Sequence, residues 1–283
     1  MRIGMHMSVS RGFEKNLRRL TDFGCQAVQI FAGNPTGWRM GKTDRAAIAR
    51  RVKLLQELSV FPLVIHSAYL INLASSSPET YQRSVELLAL TMERAALYRS
   101  PYVVLHTGNH GGQGVERGLQ KVTDTISREL ERWPAGVELL LENTAGSGTA
   151  LGSRLEELAA VVNNFPRNRV GVCLDTAHAW AAGYALDSPH GLEETLGQFD
   201  RLIGLDRLRA LHVNDSKVAC GSKVDRHQHL GKGSIGLRSF EALLAYSWPE
   251  EMPVILETPE MGSEWDHHNL TTLLSLVDKD FSL

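Results

Sequence analysis

Short apolar runs recur along the chain, with helix-like stretches between them. They read RIGMH (2–6), QAVQIFAG (26–33), PLVIHSAY (62–69), YVVLHTG (102–108), VELLLEN (137–143), VGVCLDTAH (170–178), LRALHVND (208–215) and PVILETP (253–259). Each is rich in Val, Ile and Leu and almost continuously apolar, as strands buried on both faces of a parallel sheet are. Between them, ETYQRSVELLALTMERAALYRS (79–100) sets Val85, Leu88, Leu90, Met92 and Ala96 among Glu and Arg at helical spacing, and RAAIARRVKLLQEL (45–58) looks alike. Strands alternating with helices in this way predict an α/β chain folded as a (β/α)8 TIM barrel. An open doubly wound sheet is the alternative. It is disfavoured because no GxGxxG follows the first run, nor an acidic residue where that fingerprint needs one. No linker or low-complexity tract interrupts the pattern, so residues 1–283 are expected to form a single domain.

Composition narrows the class without naming a function. The 283 residues carry 30 Lys and Arg against 32 Asp and Glu, a formal charge of −2. That argues against a uniformly basic coat, but a nucleic-acid partner needs only one basic face. The cysteines, Cys25, Cys173 and Cys220, are odd in number, far apart and form no CxxC, which points to a reducing compartment. The opening MRIGMHMSVSRG lacks the apolar core of a secretory signal, and no run approaches a membrane span. A cytoplasmic location and no membrane partner are expected.

The polar residues change the picture. In a barrel of this kind the chemistry lies at the carboxyl ends of the strands. Here the predicted strands end in His6, His66, His106, Glu142, Asp175, His212 and Glu257, with His178 three residues past Asp175. One such residue is ordinarily a packed, hydrogen-bonded side chain; a whole ring drawn only from metal-binding types is hard to ascribe to chance. The loop VDRHQHLGKG (224–233) adds Asp225 and His227, so it is expected to reach over the barrel mouth. Leaving His6 aside, the tally is five histidines and four carboxylates. One zinc takes three or four protein ligands, so nine exceed one ion and serve three if a carboxylate bridges. Imidazole with carboxylate and no thiolate suits zinc, manganese or iron. Clustered ions favour hydrolysis of a phosphate ester, and Glu142 and Glu257 are placed to bridge.

These motifs resemble the endonuclease IV family. The resemblance is carried by IGMHMS at the start, HSAYLINLAS (66–75), LENTAGSGTALG (141–152), GVCLDTAHAWAAGY (171–184), LHVNDSK (211–217), GSKVDRHQHLGKGSIG (221–236) and ILETP (255–259), in the family's order along nearly the whole chain. It implies a barrel with three zinc ions (manganese being possible at one or more sites) that cuts duplex DNA on the 5′ side of abasic sites in base excision repair, leaving a 3′-hydroxyl. It assigns His66, His106 and Glu142 to one ion, Glu142, Asp175, His212 and Glu257 to a second, and His178, Asp225 and His227 to the third. Glu142 and Glu257 then take the catalytic roles, Glu257 by orienting or deprotonating the nucleophile. Tyr69 and Leu70 match a wedge inserted into the DNA, and the resemblance implies a monomer. His229 matches no ligand and is expected in solvent or behind the ligands; His6 is expected behind them.

Two departures stand out. Thr36 and Gly37 occupy positions where better-known members carry Arg-Gln before the residue matching Trp38, and strand four ends HTG rather than HPG. Neither touches the ligand set. Lys217, Lys223, Arg226 and Lys232 share the late loop and are candidates for DNA phosphates, as are backbone amides of the glycine-rich turns 146–152 and 231–236. Two rivals remain at this level. A sugar isomerase or epimerase would be satisfied by Glu142, Asp175, His212 and Glu257 alone, and a non-catalytic lesion sensor needs no ligand set at all.

Overall fold

The computed structural model describes residues 1–9 and 12–277, so the last six residues of the expected 1–283 domain lie outside the described residues. Eight strands close into a parallel barrel: β1 (Arg2–His6), β2 (Ala27–Phe31), β3 (Leu63–His66), β4 (Tyr102–His106), β5 (Glu138–Glu142), β6 (Val170–Asp175), β7 (Leu208–His212) and β10 (Pro253–Leu256), with β10 hydrogen-bonded to both β7 and β1. All neighbours are parallel. The expected barrel is therefore present. Two short strands not foreseen in the sequence, β8 (Asp215–Ser216) and β9 (His227–Gln228), form an antiparallel pair after β7.

The outer helices are α1 (Phe13–Asp22), α2 (Arg45–Glu57), α3 (Pro78–Leu97), α4 (Val115–Glu129), α5 (Leu155–Val162), α6 (Thr176–Ala182), α7 (Pro189–Leu202), α8 (Leu237–Leu244) and α9 (Trp265–Val277). Side chains cap the starts of α2, α3, α6 and α7. Ser77 caps α3 by accepting from the Thr80 amide, with Pro78 in the first turn, where its missing N–H costs nothing. Asp44 caps α2 through the Ala47 amide. The buried face of α3 is Ser84, Leu87, Leu88, Thr91, Met92 and Ala95. Leu90, grouped with the apolar spacing in the sequence, instead points outward and is 46% exposed, because it falls on the opposite side of the helix from Leu88 and Met92. Among the described residues, no helix is long and apolar enough to cross a membrane.

Two apolar layers position the strand ends. The main core lies between strands and helices. A separate small cluster contains Val64, Val104, Leu140, Cys173 and Ala210. Each lies two residues before His66, His106, Glu142, Asp175 or His212, and side chains on a strand repeat their direction every second residue. The cluster is therefore the layer inside the barrel beneath the polar ends. Register carries them to one level: His106 pairs with Glu142, Asp175 with His212 and Phe31 with His66. Close packing governs the seam between β1 and β2 as well, since a side chain at Gly4 would run into the Ala27 carbonyl of the adjacent strand.

Candidate metal centre

At the mouth of the barrel the polar side chains converge on Glu142, which is completely buried. Its Oε2 lies 3.2 Å from His66 Nε2 and 3.1 Å from His106 Nε2. Its Oε1 lies 3.0 Å from His212 Nδ1 and 3.3 Å from His178 Nδ1. One carboxylate thus faces two groups of imidazoles with different oxygens. Three sets of donor atoms each lie within 4.8 Å of one another: His66, His106 and Glu142; Glu142, Asp175, His212 and Glu257; and Asp175, His178 and His227. The third differs from the set expected from the sequence, with Asp175 in the place of Asp225. Asp225 stands at its rim, 3.3 Å from His178 Nε2 and 3.4 Å from His227 Nε2, with half of its side chain exposed.

Local structure explains the spacing of Asp175 and His178. Asp175 ends β6 and is the N-cap of α6, its Oδ1 accepting from the His178 amide at 2.8 Å. A cap and the residue three further on share one helical turn, so the D-x-x-H pattern delivers two donors to one place. Asp225 and His227 arrive by the hairpin. Lys217 N donates to the Arg226 carbonyl at 2.9 Å, and β9 pairs Ser216 with His227. The chain beyond is gathered by Asp215, whose carboxylate accepts from the backbone amides of Ser216, Gly231, Gly233 and Ile235 at 2.8–3.0 Å. At Gly233 any side chain would collide with Asp215 and the Ser216 carbonyl.

The hydrogen bonds fix which ring nitrogen can bind a cation. His66 Nδ1 donates to the Ser67 carbonyl (2.7 Å), His178 Nδ1 to the Asn143 carbonyl (3.0 Å) and His227 Nδ1 to the Glu257 carbonyl (2.8 Å). A carbonyl only accepts, so these rings carry the proton on Nδ1 and leave Nε2 as the lone-pair donor. His227 Nε2 is buried without a hydrogen-bond partner among the described residues, and it lies 3.4 Å from Asp225 and 3.7 Å from Asp175. A lone pair held among carboxylates suits a cation between them, so these residues fit a metal ion.

His212 is reversed. Its Nε2 donates to Gln29 Oε1 at 2.9 Å, turning Nδ1 toward Glu142 and Glu257. Gln29 then donates from its own amide to Glu257 at 2.5 Å and lies 3.0 Å from His6 Nδ1. Sequence reading missed Gln29, although a glutamine inside AVQIF, fully buried, was a visible signal. It missed Asn214 as well, which donates to Asp175 at 2.6 Å and accepts from the Glu257 amide. His6 sits behind Glu257 as expected, 3.4 Å away. His229 is not in solvent: it is buried and stacked on Trp265 with ring centres 3.9 Å apart.

The electrostatics follow from this packing. Burial alone would discharge Glu142, but the imidazoles of His106, His212 and His178 hold it well below the usual carboxylate range. Burial likewise opposes charge on Glu257, and His212, His6 and His66 outweigh it. Asp225 is drawn down to about 2 against burial, chiefly by His178. In return His178 and His212 are raised well above 6.5 although burial pulls them down: Asp175, Asp225 and Glu142 act on the first, Cys173, Glu257 and Glu142 on the second. The buried site is a lattice of opposite charges, which is how groups this costly to desolvate are tolerated.

A family model described as a xylose isomerase-like TIM barrel matches residues 17–273. A probable endonuclease 4 of Natranaerobius thermophilus is 43% identical, over 99% of both chains. The chain belongs to the endonuclease IV family. The crystal structure of endonuclease IV from Thermus thermophilus is similar throughout, with a TM-score of 0.86, 36% identity and coverage of 99% of this chain and 100% of that one. A D-tagatose 3-epimerase-like protein, at 20% identity and a TM-score of 0.71, shares only the fold.

Around this endonuclease IV-type centre the structure places the remaining candidates. Tyr69 is 56% exposed, its ring 5.8 Å from that of His66 and 5.9 Å from that of His106, and Leu70 beside it is half-buried. The Tyr69 amide donates to the Pro35 carbonyl at 3.0 Å, which ties this loop to the one bearing Thr36 and Gly37. Lys217, Lys223, Arg226 and Lys232 are all exposed. The glycine-rich turn 146–152 meets the late loop where Ser147 Oγ donates to the Lys223 carbonyl at 2.5 Å.

Proposed function

We propose that the protein is a metal-dependent apurinic/apyrimidinic endonuclease that hydrolyses the phosphodiester 5′ to abasic sites in duplex DNA and leaves a 3′-hydroxyl. It acts in base excision repair, as a cytoplasmic monomer whose residues 1–283 form one domain. The observation that carries this reading is the divided carboxylate of Glu142, with His66 and His106 on one oxygen and His212 and His178 on the other. It joins donor sets too numerous for one ion. Three zinc ions suit an inventory of imidazole and carboxylate without thiolate, and manganese can stand in at one or more sites. His66, His106 and Glu142 would hold one, Glu142, Asp175, His212 and Glu257 a second, and His178, Asp225 and His227, with Asp175 in reach, the third.

Bound there, such ions lower the pKa of the attacking water and neutralise charge on the phosphate. The chain's own groups do the rest. Glu142 and Glu257 are the catalytic carboxylates. Glu257 is clamped by Gln29 and His212 and held ionised, so it orients the nucleophile better than it stores a proton. Tyr69 and Leu70 wedge into the duplex, where extruding a nucleotide that lacks a base costs little stacking. Lys217, Lys223 and Arg226 neutralise phosphates.

The test is a duplex bearing one abasic analogue beside a matched intact duplex, with the protein as prepared, stripped by chelator, and restored with zinc. Nicking only at the lesion, lost on stripping and regained with zinc, is expected. Absence of nicking with metals confirmed present would sink the reading and bring forward the sugar isomerase, which shares the fold. His178→Ala separates the two, since an isomerase has no need of the third donor set.

A further inference from the structure

We infer that His229 is a positioning residue for the third ion: stacked on Trp265 and accepting a hydrogen bond from Asn269, it holds the hairpin that presents Asp225 and His227. The proposal rests on the three-ion reading above. Three observations converge on it. First, His229 is 5% exposed and lies flat on Trp265, ring centres 3.9 Å apart and planes 7° from parallel. A histidine two residues beyond a candidate ligand is thereby locked to the first residue of α9 rather than left in the loop.

Second, the orientation of Asn269 leaves no alternative. Its Oδ1 accepts from the Leu230 amide at 3.0 Å, so its Nδ2 must face His229 Nδ1 (3.0 Å) and Thr258 Oγ1 (3.0 Å). Nδ1 is thus the acceptor and the ring proton sits on Nε2, 4.0 Å from a carboxylate oxygen of Glu260, whose backbone adopts a left-handed φ of 58°. Thr258 follows Glu257, and Glu257 itself accepts through its carbonyl from His227 Nδ1. One buried asparagine therefore joins the segment after His227 to the segment after Glu257, and His229 is the side chain that closes the join.

Third, α9 is a fixed base. Asp266 in its first turn is buried, paired with Arg19 of α1, and accepts from the Gly262 amide at 2.9 Å; Arg19 also donates to the Ser263 carbonyl at 3.2 Å. The path runs from α1 through α9 and His229 to the hairpin. Groups that only orient ligands commonly change metal affinity by about 10- to 100-fold.

The test is equilibrium dialysis against zinc with a competing chelator, reading zinc per chain together with the melting temperature. It compares the wild-type chain, His229→Ala, His229→Phe (stack without acceptor), His229→Gln (acceptor without stack), and Val52→Ala as a remote core truncation. Expected are three ions on the wild type, one of them bound about 10- to 100-fold more weakly in His229→Ala with the other two unchanged. Partial recovery is expected in His229→Phe and His229→Gln, and all three ions retained by Val52→Ala despite its lower melting temperature. Unchanged affinity for every ion in His229→Ala would overturn the proposal. So would equal weakening of all three, the mark of a purely structural role. A wild-type chain that never holds more than two ions would sink the three-ion reading, and this proposal with it.

Discussion

The two halves of the candidate centre are built differently. His66, His106, Glu142, Asp175 and His212 are the last residues of barrel strands, and Glu257 directly follows one; their positions are inherited from a hydrogen-bonded ladder and the apolar layer beneath. Asp225 and His227 hang on a hairpin whose two strands are two residues each, and half of the Asp225 side chain is exposed. The closed barrel places these side chains and leaves Gln29 and Asn214 only to fix their orientation. A hairpin needs separate supports, here the four amides gathered by Asp215 and the contacts of His229 and Asn269. The strand-end half should therefore fail all at once and the hairpin half by degrees.

The largest effect is expected at the junction. Glu142→Gln removes the charge that serves both groups of imidazoles, and abasic-site nicking should fall by about a thousandfold or more, beyond the 10- to 100-fold usual for groups that merely orient ligands. Asp225→Asn should cost nearer 100-fold and release one ion while the others stay, read by metal analysis beside the nicking assay. Equal losses in the two variants, in activity and in metal, would erase the distinction. Gln29→Leu probes the strand-end half without touching a ligand. It frees His212 to turn and leaves Glu257 without its shortest partner, so a loss of about 10- to 100-fold is expected, with kcat affected more than KM. An unchanged kcat would mean that the barrel alone suffices.

Removing the metals exposes a pH dependence. In the stripped protein His178 and His212 are raised well above 6.5, so their pairing with carboxylates stabilises the fold fully below that value and fades as pH climbs through their folded pKa. Glu142 and Glu257 are depressed, and their contribution is present above 4.5 and lost as pH falls through their folded values. The melting temperature of stripped protein should decline above neutrality, whereas metal-loaded protein should gain, because ions need unprotonated imidazoles. Parallel curves for the two forms would show that the ions do not occupy this lattice of histidines and carboxylates.

Legibility in the sequence follows the same division. The barrel and its strand-end donors could be read because seven of the eight apolar runs stop at a histidine or acid, and strand register turns a sequence position into a place. Asp225 and His227 were legible as residue types, but not the hairpin that carries them, since two-residue strands leave no periodicity. Nor was the reach of Asp175 into the third donor set, which depends on how α6 starts. Leu90 went wrong because an apolar residue in an amphipathic helix says nothing by itself about its face. His229 stayed open between solvent and a place behind the ligands because its partners, Trp265 and Asn269, lie more than 30 residues away.

The smallest effect concerns the hairpin as a DNA surface. Lys217, Lys223 and Arg226 are exposed on the loop that presents the third donor set, so phosphate contact and metal placement share one element, while no barrel strand ends in a lysine or arginine. Each phosphate neutralised contributes a slope of about 0.9 to the fall of log affinity with log salt. Lys217→Ala combined with Lys223→Ala should lower that slope by roughly 1.8, alike for abasic and intact duplex, since phosphate contacts carry no sequence or lesion information. Nicking at saturating DNA should barely change, because neither lysine contacts the donors. A salt slope that the two substitutions leave intact would move the DNA backbone off the hairpin. The hairpin's role would then be confined to carrying Asp225 and His227.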